Sequence, residues 1–248
     1  MRLYGRFAAL YDRLMGSVDR GAWAEYVLAL LPAGRLAIAD AACGTGALTI
    51  PLARAGHALV GLDASEEMLA VAAENARLAR LSIPFVRQRM ESLALHRPAD
   101  AIVSACDGVN YLTSRESLDA FFRAARANLK PGGRLLFDVS SRHKLERILA
   151  NNTFAEEEDG ASYIWKNEYD EASRCIRMEV VFFERMRDGR YERFAEEHIQ
   201  RAHSERELTN ALARAGFCDI RAYEAFTFDA PGEESERLQF AATAPERG

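Results

Sequence analysis

The stretch Leu36-Ala37-Ile38-Ala39-Asp40-Ala41-Ala42-Cys43-Gly44-Thr45-Gly46-Ala47-Leu48 decides the fold. Its first four residues are a short apolar run, the pattern of a strand covered on both faces. Asp40 closes that run. Cys43 to Gly46 make a tight turn of small residues, and residues 47–55 have helical character. Strand, turn and helix N-terminus, in that order, place backbone N–H groups beneath a nucleotide-like ligand. Gly44 and Gly46 let such a ligand come close, since neither carries a Cβ. A dinucleotide-binding turn needs a third glycine three residues after the second. Thr49 stands there, which argues against a nicotinamide-dependent oxidoreductase. The acidic end of the strand points to a ligand that carries positive charge.

The next segments repeat the strand-then-helix rhythm. Residues 58–62 form a second apolar run that ends in Asp63. An acid about 20 residues past a glycine turn is placed to accept both ribose hydroxyls of a nucleoside. Ser65 is the alternative cap for the helix that follows from Glu66 to about Arg80, whose Met68, Leu69, Ala72 and Ala76 face inward. A third strand over 83–86 leads into Arg87-Gln88-Arg89-Met90-Glu91. A fourth, over 99–105, leads into Cys106-Asp107-Gly108-Val109-Asn110-Tyr111-Leu112. Thr113 and Glu116 have capping-box spacing ahead of a helix over 118–129. Lys130-Pro131-Gly132-Gly133 is a tight turn before a fifth strand over 134–139. Parallel strands open on one edge, so the ends of the first, second, fourth and fifth converge.

Beyond the fifth strand the pattern changes. Residues 142–149 read as helical and 156–159 as an acidic solvated loop. Residues 161–169, 174–186 and 191–202 alternate apolar and polar, the mark of three antiparallel strands. Ser204 with Glu207 caps a helix that ends at Gly216. Residues 217–223 and 237–243 close the chain as an edge hairpin. At the other end, Tyr4, Phe7, Leu10, Tyr11, Leu14 and Met15 have helical spacing, either packed on the core or laid as a flap over the ligand. A second helix over 22–31 stops before Pro32.

Composition narrows the function classes. The chain has 248 residues and a net charge of −5, enough for one α/β domain with a small insertion and without the basic footprint of a nucleic-acid binder. Lys130, Lys144 and Lys166 are the only lysines, an arginine preference that reads as genome composition. Cys43, Cys106, Cys175 and Cys218 have no metal-ligand or redox spacing, so reduced thiols in a cytoplasmic protein and no metal site are expected. No signal segment and no membrane-spanning run is expected. His57 and His96 read as loop residues, His198 and His203 as a surface pair, and Trp165 as packing within the inserted strands.

Taken together, these motifs resemble class I S-adenosylmethionine (SAM)-dependent methyltransferases of small bacterial type. Asp40-x-Ala42-x-Gly44-x-Gly46 resembles their first motif, Asp/Glu-x-Gly-x-Gly-x-Gly, with alanine at the first glycine. Phe7-Ala8-x-x-Tyr11-Asp12, Cys106-Asp107-x-x-Asn110-Tyr111-Leu112, Lys130-Pro131-Gly132-Gly133 and Phe226-Thr227-Phe228-Asp229 fit the same group. The layout is similar to that of amino-sugar N-methyltransferases. The resemblance implies a Rossmann-like seven-stranded sheet ordered 3-2-1-4-5-7-6, strand 7 antiparallel, with helices on both faces and an antiparallel sheet inserted after strand 5. It divides the chain into N-terminal helices over the site (1–33), a SAM-binding core (34–150), the inserted strands (151–203) and the completion of the sheet (204–248).

SAM is the cofactor the resemblance implies. Asp40 and the backbone of Gly44 and Gly46 take its methionine end, Asp63 takes the ribose, and Ala42 and Ala64 are cofactor-binding candidates beside them. Met90, Ala105 and Cys106 frame adenine, Tyr11 covers the sulfonium side, and Met68 and Arg89 are further cofactor-binding candidates. In the family an Asp that accepts from the adenine amino group usually occupies the position of Arg89. Arginine stacks on a base but only donates. On the acceptor side, His143, Asp107 and Tyr111 are the catalytic candidates, with Trp165 and His198 beside them. The expected acceptor is a small molecule bearing an amine, hydroxyl or carboxylate. Membrane and nucleic-acid partners are not expected, and a homodimer is compatible with the sequence. Ala42 and Arg89 keep one alternative in play, a SAM- or nucleoside-binding module without catalysis.

Overall fold

The computed structural model describes residues 20–158, 161–186 and 188–246. Tyr11 and the helix expected over residues 1–17 lie outside them. The first half of the described chain alternates helix and strand. It runs α1 (Arg20–Leu30), β1 (Ala37–Ala41), α2 (Thr49–Arg54), β2 (Ala58–Asp63), α3 (Glu66–Leu78), β3 (Phe85–Arg87), β4 (Ala99–Ser104), α4 (Arg115–Asn128) and β5 (Leu129–Ser140). The second half carries β6 (Thr153–Glu158), β7 (Ala161–Asp170), β8 (Cys175–Arg185), β9 (Tyr191–Arg201), α5 (Glu205–Arg214), β10 (Cys218–Glu224) and β11 (Arg237–Thr243).

Seven strands form the main sheet in the order β3-β2-β1-β4-β5-β11-β10. Strands β1 to β5 pair in parallel, and β11 runs antiparallel to both β5 and β10. This is the order the resemblance implied, with β10 and β11 as the sixth and seventh strands. Successive residues of a strand face opposite sides, so β5 feeds two cores. Leu135 and Phe137 join Phe121, Phe122, Leu208 and Leu212 beneath α4 and α5. Leu136 joins Val27, Leu30 and Leu52 beneath α1 and α2. The Phe137 and Phe240 rings stack with centroids 5.0 Å apart and lock β11 to β5.

Several local expectations shift. Ser114, not Thr113, caps α4. Its backbone is extended (φ −116°, ψ 158°), its Oγ accepts the Ser117 N–H, and Ser117 Oγ accepts the Ser114 N–H in return. Lys130 to Gly133 belong to β5, with Gly132 N–H donating to Ala244 and Ala244 N–H donating to Gly133. Lys130 Nζ lies 2.7 Å from Asp100, whose other oxygen accepts the Ala37 N–H, so this motif ties β5, β4 and β1 at the end away from the site. Residues 144–149 form a π-helix.

The insertion is a four-stranded antiparallel sheet in the order β6-β7-β8-β9, one strand more than expected. The extra strand, β6, contains the acidic run read as a loop. Phe154 pairs with Trp165 of β7, while Glu156 and Glu157 lie exposed. An edge strand with charged side chains resists pairing with another chain, and that is why the run looked like solvent-facing loop. Among the described residues no helix is long and apolar enough to cross a membrane.

Candidate active site

A cavity of about 1060 Å³ opens at the C-terminal ends of β1, β2 and β4, and the inserted sheet forms its far wall. That volume lies at the upper end for small-molecule and cofactor sites.

One half of the cavity is built by the turns that leave β1 and β2. Asp40 is 1% exposed and accepts a 2.5 Å hydrogen bond from Thr49 Oγ. Thr49, the residue that breaks the dinucleotide fingerprint, therefore orients the strand-end carboxylate. Burial pushes the Asp40 pKa up to about 7, the Thr49 bond works against that, and the nearby Asp63 adds to it. Asp63 also rises through burial, opposed by the N–H groups that it accepts. Its Oδ2 accepts Gly44 N–H and its Oδ1 accepts Ser65 N–H, each at 2.8 Å. Ser65 in turn caps α3 by accepting the Met68 N–H. The structure thus gives Asp63 and Ser65 separate tasks.

The glycine turn works differently from the expectation. Gly44 N–H is engaged by Asp63, and Gly46 N–H closes the turn onto the Cys43 carbonyl, so neither points at a ligand. Gly44 lines the cavity; Gly46 does not, and its positive φ of 80° turns the chain into α2. Ala42 lines the cavity at φ 59°, a left-handed conformation that costs a non-glycine residue roughly 1–2 kcal/mol. A glycine would hold it without strain, which accounts for the glycine usual in the resembling motif. A Cβ on Gly108 would lie 3.1 Å from the Ala42 Cβ and 2.7 Å from Ser104 Oγ, so the exits of β1 and β4 pack almost backbone to backbone. Ala64, Met68, Arg89, Met90, Ala105 and Cys106 also line this half. Arg89 pairs with Glu91 at 2.7 Å, which offers a carboxylate beside the position where the family has its acid. Burial pushes the Cys106 thiol up to about 12, with Asp138 and Asp107 adding to it, so Cys106 is a neutral wall.

The other half is built by the end of β4 and the inner face of the inserted sheet. Glu196, His198 and Gln200 alternate along β9 and are all buried; each lines the cavity. Cross-strand pairing sets Trp165, Val180 and Glu196 in one row, and Asn167, Met178 and His198 in the next. His198 is 6% exposed, and its Nδ1 lies 3.3 Å from the Tyr111 hydroxyl. Burial lowers its pKa to about 4, against a smaller pull from Glu197, so the ring is neutral at pH 7. His203 is also buried and lowered to about 4 by burial. The expected surface pair is therefore two buried neutral rings, and only His198 reaches the cavity. Asn110 fixes this region: its amide donates to the carbonyls of Ser140 and Arg201, and its carbonyl accepts the Ser140 N–H.

Three charged groups sit between the two halves. Arg237 of β11 pairs with Asp107 at 2.5 Å and with the fully buried Asp138 of β5. Its guanidinium lies 5.3 Å from the Trp23 ring centroid. Burial opposes the Arg237 charge, but the two carboxylates outweigh it and hold its pKa above the ordinary range. Burial raises Asp138, and Arg237 draws it back. Cys106 and Asp107, at φ 56° and 66°, are held left-handed directly beside this cluster.

Of the catalytic candidates, Tyr111 and Asp107 line the cavity and His143 does not. Asp107 is committed to Arg237 and to the Ser140 hydroxyl, which makes it a positioning group. Sequence reasoning missed Arg237, Glu196, Trp23 and the role of Thr49. The period-two spacing of Glu196, His198 and Gln200 was a usable signal, masked because polar residues on a strand read as its wet face.

Comparison with known proteins agrees with this architecture. Residues 38–133 match a model described as a methyltransferase domain. A protein of Geobacillus sp. (strain WCH70) named "Putative methyltransferase" is 35% identical over 96% of this chain and 98% of its own length. The crystal structure of an S-adenosylmethionine-dependent methyltransferase from Clostridium acetobutylicum ATCC 824 superposes with a TM-score of 0.87 at 29% identity, covering 98% of this chain and 99% of that one. A SAM-bound amino pentose methyltransferase from Micromonospora echinaspora shares the fold, with a TM-score of 0.74 at 22% identity over 98% of this chain and 99% of that one. Likeness that runs almost end to end makes this chain a member of the SAM-dependent methyltransferase family, with SAM as its cofactor.

Proposed function

We propose that the protein transfers the methyl group of SAM to a small-molecule acceptor held between the β4 exit and the inserted sheet. The observation that carries this reading is the pair of carboxylates at adjacent strand ends, Asp40 buried and Asp63 half-buried. Burial raises the proton affinity of both, and the Asp63 charge raises that of Asp40 further. Two such groups facing one cavity are matched to a cationic ligand. The residues fit SAM: its ammonium and sulfonium satisfy the Asp40 side, and Asp63 has lone pairs left over for ribose hydroxyls. When bound, SAM supplies an already activated methyl group on a sulfonium.

The chain's own residues then orient the acceptor and exclude water. Holding two reactants in near-attack geometry contributes roughly 7–11 kcal/mol to such a displacement. Tyr111 and His198 present a hydroxyl and a neutral imidazole side by side, fit to accept a hydrogen bond from the acceptor's X–H and to aim its lone pair. Trp165, Met178, Val180 and Phe182 give the acceptor half a mostly apolar wall, which favours an acceptor with an apolar or planar body. The inserted sheet walls one side of the cavity, and the mild acidity of the chain argues against nucleic acid as acceptor. Four free cysteines fit a reducing cytoplasm.

Two measurements test the reading. Asp40 is mostly protonated below pH 7 without ligand, and a bound cation favours its ionised form. In the unfolded chain the group titrates near 4, so its contribution to stability is full below that pH and is lost as pH rises through about 7. SAM affinity should therefore rise roughly tenfold from pH 6 to pH 8, with a proton released on binding. Calorimetry in two buffers of different ionisation enthalpy reads this directly. A pH-independent affinity would separate Asp40 from the ligand's charge.

The second measurement is a methyl-transfer screen over amines, amino sugars, phenols and carboxylic acids, read by release of S-adenosylhomocysteine. With the acceptor found, His198→Ala should lower kcat by about 10²-fold or more with SAM affinity unchanged. His198→Gln, which keeps a hydrogen-bond acceptor, should recover part of the loss if orientation is the main task.

A further inference from the structure

A second concavity, of about 300 Å³, lies away from the catalytic cavity, between α4, α5 and the β8–β9 edge. Five arginines line it: Arg115, Arg174, Arg201, Arg206 and Arg214. Two carboxylates answer them. Glu207 serves Arg201 at 2.8 Å and Arg174 at 3.8 Å, and Asp119 serves Arg214 at 2.7 Å and Arg115 at 3.6 Å. Each acid is shared by two guanidiniums, and Arg206 has no ion-pair partner among the described residues. Five guanidiniums thus share two paired carboxylates in one small hollow, on a chain whose net charge is −5. An acidic protein gains nothing from crowding like charges unless an anion relieves them, because like charges at this range repel.

The arginines come from separate elements, so the crowding is made by the fold and not by a run in the sequence. Arg115 opens α4, Arg206 and Arg214 stand at opposite ends of α5, and Arg201 ends β9. Arg201 also adjoins Gln200, and neighbours on a strand face opposite ways. The hollow therefore lies behind the acceptor wall rather than within it. Planar guanidinium forks bind phosphoryl oxygens two at a time.

We infer that this hollow binds a small polyanion with adjacent phosphoryl groups, free or carried by a nucleotide. Its size sits at the low end for ligand pockets and suits such a group. A nucleic-acid track would need a basic stripe that runs on, and in the sequence Glu116 directly follows Arg115 and Glu205 directly precedes Arg206.

The test is calorimetric titration of the full-length protein, saturated with S-adenosylhomocysteine to keep nucleotides out of the catalytic cavity. Inorganic pyrophosphate, ADP and a short mixed-sequence single-stranded RNA are compared at one ionic strength, balanced with chloride. Saturable one-site binding of pyrophosphate or ADP is expected, weakened at least tenfold in Arg115→Ala/Arg206→Ala and in the single reversal Arg206→Glu. Tighter ADP than pyrophosphate binding would assign the phosphoryl groups to a nucleotide; equal binding would assign them to the free anion. Heats no larger than those of chloride, equal affinity in the variants, or RNA binding tighter than both would overturn the inference. The S-adenosylhomocysteine affinity itself should not change in either variant, which keeps this result separate from the methyltransferase reading.

Discussion

Replacing Arg237 with methionine is expected to lower the unfolding free energy by about 3–5 kcal/mol, the range for removing one partner of a buried ion cluster. For a chain of this size that is a fall in melting temperature of roughly 6–20 °C. The magnitude comes from what is left behind. Asp138 has no exposed surface, and its Oδ1 has no hydrogen-bond partner, so Arg237 carries most of its compensation. Asp107 would lose the same partner while strained at φ 66°. The side-chain stem is kept by methionine, so lost packing against Trp23 is a smaller part of the effect. Chemical denaturation reads the change. Adding Asp138→Asn and Asp107→Asn to the methionine variant should recover a large share of the stability, since the cost lies in unpaired buried charge. A triple variant as unstable as the single one would mean that Arg237 acts through shape alone. Because Asp107 leads into Gly108 to Tyr111, the single variant should also loosen the acceptor half, seen as a weaker response to substitution at His198.

The parts that were legible in the sequence are those governed by short-range pattern. The apolar run before Asp40, the spacing to Asp63 and the terminal hairpin follow from periodicity and turn chemistry, and each appears in the expected place. What escaped depends on pairing across long separations. Nothing local in Glu156-Glu157 says that Phe154 will sit opposite Trp165 and draw the acids into an edge strand. Arg237 lies about 130 residues from Asp107, so no window of sequence joins them. His198 was misread because a histidine directly after two glutamates resembles a wet surface. Only the sheet that covers it makes it dry and neutral. The same applies to Thr49: its failure to match one fingerprint was visible, but its bond to Asp40 needed α2 to begin there.

Asp63→Ala should weaken SAM binding by about a hundredfold or more. Two hydrogen bonds from ribose hydroxyls to a carboxylate are each worth roughly 1.5–3 kcal/mol, and each 1.4 kcal/mol is about tenfold in affinity. The same substitution removes an acceptor from Gly44 and Ser65, so a loosened turn could imitate the result. A pair of ligands separates the two causes. Calorimetry with S-adenosylhomocysteine and with its 2′,3′-dideoxy analogue forms a cycle with the native chain and the variant. If Asp63 holds the ribose, the native chain should prefer the hydroxylated ligand by about the full factor and the variant should scarcely tell the two apart. If both ligands weaken together and the preference survives, Asp63 serves only as the clasp between the β1 turn and α3. The first outcome is expected because the two protein bonds use one lone pair on each carboxylate oxygen, and Asp63 lines the cavity with acceptor capacity to spare.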